Sequence, residues 1–209
     1  MFDARLRPLI DPPLNAAGRW LARIGVGANA VTLAGIALGL AAGATIAQSC
    51  FEIGLALIVA NRLLDGLDGA VARATSLTDF GGFLDIVGDF VFYIAVPVGF
   101  GLASPQNLLP ALLLVASFAL TGASFLAFAA IAGKRGLETA AHGRKSLFYN
   151  TGLAEGAETI AAFIAMVLMP QHFGTIALIF AALCVLTVIQ RSLVAFHAFA
   201  AACPEEGDE

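Results

Sequence analysis

Residues 61–90, NRLLDGLDGAVARATSLTDFGGFLDIVGDF, contain five aspartates, of which Asp65, Asp68, Asp85 and Asp89 stand in otherwise apolar surroundings. Carboxylates hold hard divalent cations and take protons from attacking hydroxyls, so this stretch is where chemistry is sought first. Asp65 and Asp68 are spaced i, i+3, and Asp85 and Asp89 are spaced i, i+4, so in helices each pair shares a face. If one helix ends near Arg73 and the next begins near Gly81, the two run antiparallel around a short loop. Asp65 and Asp89 then both lie roughly 12 Å from that loop, and Asp68 and Asp85 roughly 6–8 Å. The four carboxylates face one another as two rungs of a cage. Like charges at that range do not all stay ionised without a cation, and Arg62 and Arg73 offset only two of them. An all-oxygen, carboxylate-rich site suits Mg2+ or Mn2+. The competing reading is that each aspartate caps a helix or pairs with an arginine.

The elements that must position these groups follow from composition. Of 209 residues, 59% are hydrophobic and only 12% charged, with a mean hydropathy of +0.89. That is too little polar surface for a soluble domain, and the chain reads as an all-α membrane protein. No basic domain is present, which argues against a nucleic-acid partner. Cys50, Cys184 and Cys203 are too scattered for a disulfide framework or a zinc site. Six segments approach the ~20 apolar residues that a bilayer crossing needs: 28–48, 51–73, 82–103, 107–132, 152–170 and 173–198. A charged group inside such a span costs about 2.5–3.5 kcal/mol even on a lenient scale, which makes the acidic cluster costly to retain without a function.

Arg19, Arg23, Arg73, Lys134, Arg135, Arg144 and Lys145 all fall before the first span or in alternate loops, whereas the opposite turns carry only Glu52. The positive-inside rule then puts both termini and the charged loops in the cytoplasm. Residues 12–24 have Leu14, Ala17, Leu21 and Ile24 at helical spacing, with Arg19 and Arg23 on another face and Trp20 suited to the headgroup region. They read as a short interfacial amphipathic helix, with a helix start at Pro12 and Pro13, or else as a lead-in to the first span. The chain thus divides into a cytoplasmic N-terminus with that helix (1–27), a six-helix transmembrane catalytic domain (28–199) and an acidic cytoplasmic tail (200–209).

Gly66, Gly69, Gly81 and Gly82 remove side-chain bulk beside the carboxylates and together favour a nucleotide-sized cleft open to the cytoplasm. Arg73 would meet a phosphate there, or else snorkel to the headgroups. By spacing the stretch is Asp65-x2-Asp68-Gly69-x2-Ala72-Arg73-x7-Gly81-x3-Asp85-x3-Asp89. This resembles the signature of the CDP-alcohol phosphatidyltransferases, with all eight positions filled. Gly27-Ala28-Asn29-Ala30-Val31-Thr32 is similar to that family's Pro-Asn-x-x-Thr at the first span, without the proline. The resemblance implies transfer of a phosphatidyl group from a CDP-linked lipid, usually CDP-diacylglycerol, to a small alcohol, with release of CMP. It assigns metal binding to Asp65, Asp68 and Asp85. Asp89 becomes the general base, with a share in the metal, and two ions of Mg2+ or Mn2+ are the implied cofactors. Gly69, Ala72 and Arg73, with Gly81, hold the CDP moiety. The family pattern also implies a homodimer and, in a bacterium, the inner membrane.

On the acceptor side, Arg144 and Lys145 would bind an anionic acceptor or the donor phosphates, or else serve as topology signals. Glu155 and Glu158 would receive polyol hydroxyls, or favour a helix N-terminus electrostatically. Two further functions stand beside the leading one. A soluble CDP-alcohol could give its headgroup to diacylglycerol, or the carboxylates could line a cation transporter. Metal-dependent CMP release separates an enzyme from the transporter and from a silent scaffold.

Overall fold

The structure, a computed structural model, describes residues 3–135 and 156–200. Helix is the regular structure throughout them: α1 (Asp3–Arg23), α2 (Ala28–Ala47), α3 (Phe51–Ala74), α4 (Asp79–Ala103), α5 (Leu108–Lys134), α6 (Gly156–Leu168) and α7 (Phe173–Ala200). Single 3-10 turns at Pro105–Asn107 and Pro170–His172 lead into α5 and α7. Of the six expected crossings, α2, α4, α5 and α7 are long and apolar enough to span a membrane. The 24 residues of α3 are interrupted by charge at Arg62, Asp65, Asp68 and Arg73, and α6 is apolar over 13 described residues.

The helix ends that frame the acidic stretch are locally determined. The Thr78 hydroxyl accepts the Gly81 amide at 3.0 Å and so satisfies one of the free N–H groups that open α4. Asp79 stands in that first turn and Arg73 in the last turn of α3, each where the helix dipole favours its sign. One expectation needs correction: α1 begins at Asp3, so Pro12 and Pro13 lie inside it and do not start it. Proline's fixed φ is itself helical, so the chain continues through both at the cost of their missing N–H groups.

Packing departs from the simple hairpin in an informative way. The extensive contacts of α3 and α4 are with α2, not with one another. Glycine makes this possible. Gly39 sits between Asn61 of α3 and Phe92 of α4, where an added Cβ would lie 3.3 Å from each. One turn along, a Cβ on Gly43 would lie 2.5 Å from the Ala95 carbonyl oxygen, and Gly99 meets the Gly43 backbone in return. The two carboxylate-bearing helices therefore stand apart, with α2 as the floor of the gap between them.

The rest of the bundle fixes the far side. α5 packs on α4 and α7, and α1 lies along α3. Phe92, Phe100, Phe163 and Phe173 are fully buried, and Phe100 stacks on Phe173 at 4.3 Å. The outward side chains of the long helices, among them Leu40, Leu102, Leu112, Leu120, Ile179 and Leu186, are exposed and apolar. That is the surface acyl chains require.

Gly43→Val should lower stability by about 1–3 kcal/mol, because the new side chain meets backbone that has nowhere to go. The melting temperature of the purified protein in detergent measures it. An unchanged melting temperature would mean that α2 does not depend on this close approach.

Candidate active site

α3 and α4 bring the four aspartates to the two walls of the gap. Asp68 and Asp85 each stand six residues from the loop-side end of their helix, or roughly 9 Å along it. Asp65 and Asp89 stand about one turn deeper. All four line one small cavity of about 10 Å³, together with Thr32, Asn61 and Arg62. That volume is near the space one water-sized group needs.

An open cleft of about 140 Å³ adjoins it toward the loop. Asn29 and Thr32 of α2, Asp68, Gly69 and Ala72 of α3, and Thr78, Gly81, Gly82 and Asp85 form its lining. The structure thus brings together Asp68, Gly69, Ala72, Gly81 and Asp85, which belong to the one signature. Arg73 is exposed and not part of the lining; its Nη1 lies over Gly69, 3.2 Å from where a Cβ would be. Its Nη2 donates to Asn15 Oδ1 of α1 at 3.1 Å.

Each wall is held by polar ties, buried between Thr32 and Asp68 and between Asn61 and Gly35, and half-buried around Arg62. The Thr32 hydroxyl donates to Asp68 Oδ2 at 2.7 Å, and Asp68 is 6% exposed. The Asn61 amide donates to the Gly35 carbonyl at 2.8 Å and its oxygen accepts from Arg62 Nε at 2.7 Å. Arg62 Nη1 then reaches Asp89 Oδ1 at 2.9 Å and Asp65 Oδ2 at 3.6 Å. The guanidinium lies 4.3 Å from the centroid of the Phe92 ring, a geometry that favours a cation on an aromatic face.

The donor set is entirely oxygen, four carboxylates and a hydroxyl around one cavity, which fits a hard divalent cation and no soft metal. Among the described residues no three ligating side chains converge as a ready-made centre. The partners explain the spread: Arg62 draws Asp65 and Asp89, and Thr32 draws Asp68.

The sequence pattern of the CDP-alcohol phosphatidyltransferases matches residues 26–190, which include α2 to α6 and all of both cavities. The chain belongs to this family. It is a transferase of phospholipid biosynthesis and a multi-pass membrane protein. It is 46% identical over 192 residues to inner membrane protein YnjF of Escherichia coli strain K12, covering 91% of this chain and 93% of that one. It is 31% identical over 198 residues to archaetidylinositol phosphate synthase of Methanothermobacter thermautotrophicus, covering 92% and 91%. Its fold is similar to a crystal structure of Mycobacterium tuberculosis phosphatidylinositol phosphate synthase with CDP-DAG bound. That similarity has a TM-score of 0.72 and 19% identity, and covers 91% of this chain and 98% of the other. Family membership displaces the transporter and scaffold readings.

Sequence reasoning did not assign roles to Asn61, Thr32 and Arg62. Thr32 and Asn29 stood in the segment that resembles the family's first span, and Arg62 was counted only as a charge. Of the acceptor-side residues, Glu158 lies in the first turn of α6 and lines neither cavity. Arg144, Lys145 and Glu155 lie outside the described residues.

Asn61→Leu should destabilise the protein by about 1–3 kcal/mol, because it removes the buried amide bridge from α3 to the Gly35 carbonyl and frees the Arg62 side chain. Thermal unfolding in detergent reads this directly. A neutral result would mean that the Asn61 bridge does not hold α2 to α3.

Proposed function

We propose that this transferase moves a phosphatidyl-type group from a CDP-linked lipid, CDP-diacylglycerol, to the hydroxyl of a small alcohol and releases CMP. One observation carries this reading. The small-residue cleft and the carboxylate cavity are contiguous and share Thr32, Asp68 and Asp85. A nucleotide seated along Gly69, Ala72 and Gly81 would present its phosphates to the carboxylate rungs. The fold relative's bound CDP-DAG supports the same donor.

In this reading Asp65, Asp68, Asp85 and Asp89 hold Mg2+ or Mn2+, two ions, and Arg73 closes on the CDP moiety from its place over Gly69. The ions, when bound, neutralise charge on the donor phosphates and on the departing CMP. The acceptor oxygen attacks the lipid-side phosphorus, and a new oxygen–phosphorus bond forms. The bond from that phosphorus to the CMP oxygen breaks, and CMP leaves with the electron pair. Asp89 takes the acceptor's proton. Arg62, bonded to Asp89 Oδ1, orients that carboxylate for the task.

The relative named archaetidylinositol phosphate synthase puts inositol phosphate first among acceptors to be tried. Residues 28–199 form the catalytic unit in this reading. It crosses the membrane six times, with α1 on the cytoplasmic surface and both termini and the cleft on that side. The basic ends of α1, α3 and α5 support this sidedness, since Arg23, Arg73 and Lys134 share the cleft's end of the bundle. A homodimer is the assembly that the family pattern implies.

Purified protein given CDP-diacylglycerol, Mg2+ and inositol phosphate should release CMP, and EDTA should abolish the release. Glycerol 3-phosphate, serine and inositol serve as the other acceptors. Product from CDP-choline and diacylglycerol, with none from CDP-diacylglycerol, would reverse the donor assignment. Asp89→Asn should fold and insert yet lose at least ~100-fold in turnover, the usual scale of a lost general base. Near-normal turnover would remove Asp89 from the mechanism.

A further inference from the structure

The four carboxylates are not equivalent in their surroundings. Asp68 and Asp85 border the open cleft, whereas Asp65 and Asp89 line only the inner cavity. It is the inner pair that shares the Arg62 guanidinium, at 3.6 and 2.9 Å. The arginine side chain is 13% exposed. It is anchored on three further sides, by Asn61 Oδ1 at 2.7 Å and by the Phe92 and Tyr93 rings at 4.3 and 5.9 Å. A side chain so held is not a passing surface contact. It brings a fixed positive charge to the inner rung, on the same helix as Asp65 and one helix away from Asp89.

We propose that Arg62 is a resident counter-cation that makes the two rungs unequal: it keeps Asp65 and Asp89 in place without metal and opposes divalent-cation binding at that inner rung. The inference rests on the proposed metal-dependent reaction and adds to it the order in which the rungs fill. Asp68 and Asp85, at the mouth and without a guanidinium partner among the described residues, receive a cation first. The inner rung takes one only against the charge of Arg62, because two cations a few ångströms apart repel in a weakly screened interior. Arg62 therefore acts as a positioning residue through Asp89 and Asp65 and need not touch the substrate.

Mn2+ binding to the purified protein, followed by the electron paramagnetic resonance of the free ion without substrate, tests this. The wild type should bind in two classes that differ at least ~5-fold in affinity, the lower end of a typical coupling between two ligands. Arg62→Gln should tighten the weaker class by a similar factor. The melting temperature of its metal-free form should fall by a few degrees, and Mn2+ should restore it. Arg62→Lys retains the charge and should keep the two classes apart. Equal classes in the wild type would overturn the proposal, and so would unchanged or weaker Mn2+ binding by a folded Arg62→Gln. If neither variant folds, equal classes in the wild type still overturn the proposal. Wild-type protein that binds no Mn2+ and releases no CMP would sink the proposed reaction itself. Normal metal-dependent turnover with equal classes would sink the role of Arg62 alone.

Discussion

The close seat of α2 between α3 and α4 is the constraint from which the rest of the site follows. Were the two aspartate-bearing helices to pack directly, the four carboxylates would be pressed together with no room for a ligand. Gly43 and Gly99 let backbone meet backbone and Gly39 admits the Asn61 and Phe92 side chains, and that closeness lets α2 keep the other two helices apart. The same helix lends Thr32 and Asn29 to the cleft. Packing and chemistry are thus decided by one face of one helix. Small residues serve this purpose well in membranes, where helix association depends on close packing and not on escape from water.

Charge is the second organising term. Asp65, Asp68, Asp85 and Asp89 would be hard to retain in such apolar surroundings without partners. The structure supplies one to each of three: a threonine hydroxyl for Asp68, and one shared guanidinium for Asp65 and Asp89. The fourth, Asp85, is the exposed one and faces the cleft. The arrangement holds its shape with internal partners while its oxygen-rich lining stays suited to a hard cation and phosphate.

Much of this was legible in the sequence. Hydropathy marked 28–48 and 51–73, and the helices run Ala28–Ala47 and Phe51–Ala74. The i, i+3 and i, i+4 spacings place the aspartates on two walls around one cavity because helix periodicity is a local property. Which helices touch is not local. Glycine composition gave no sign that α2, and not α4, is the main neighbour of α3. Arg62 was visible as a charge, but its choice of Asp89 depends on the rotamer that Asn61 and Phe92 impose. The start of α1 was misread because proline marks both helix beginnings and tolerated interruptions, and only the neighbouring residues distinguish them.

The four-residue connection from Thr75 to Thr78 has a consequence for how such a chain can vary. One residue inserted in α3 between Asp68 and the connection, or in α4 between the connection and Asp85, changes the phase of a helix by about 100°. That swings a carboxylate off its wall altogether. At the opposite end of the bundle, an extra residue in the 48–50 or 104–107 turns only lengthens a loop. Drift in length is thus open to the turns and closed to the helical stretches that carry the carboxylates. The fixed spacing of eight residues in the signature is, in physical terms, a record of helical phase.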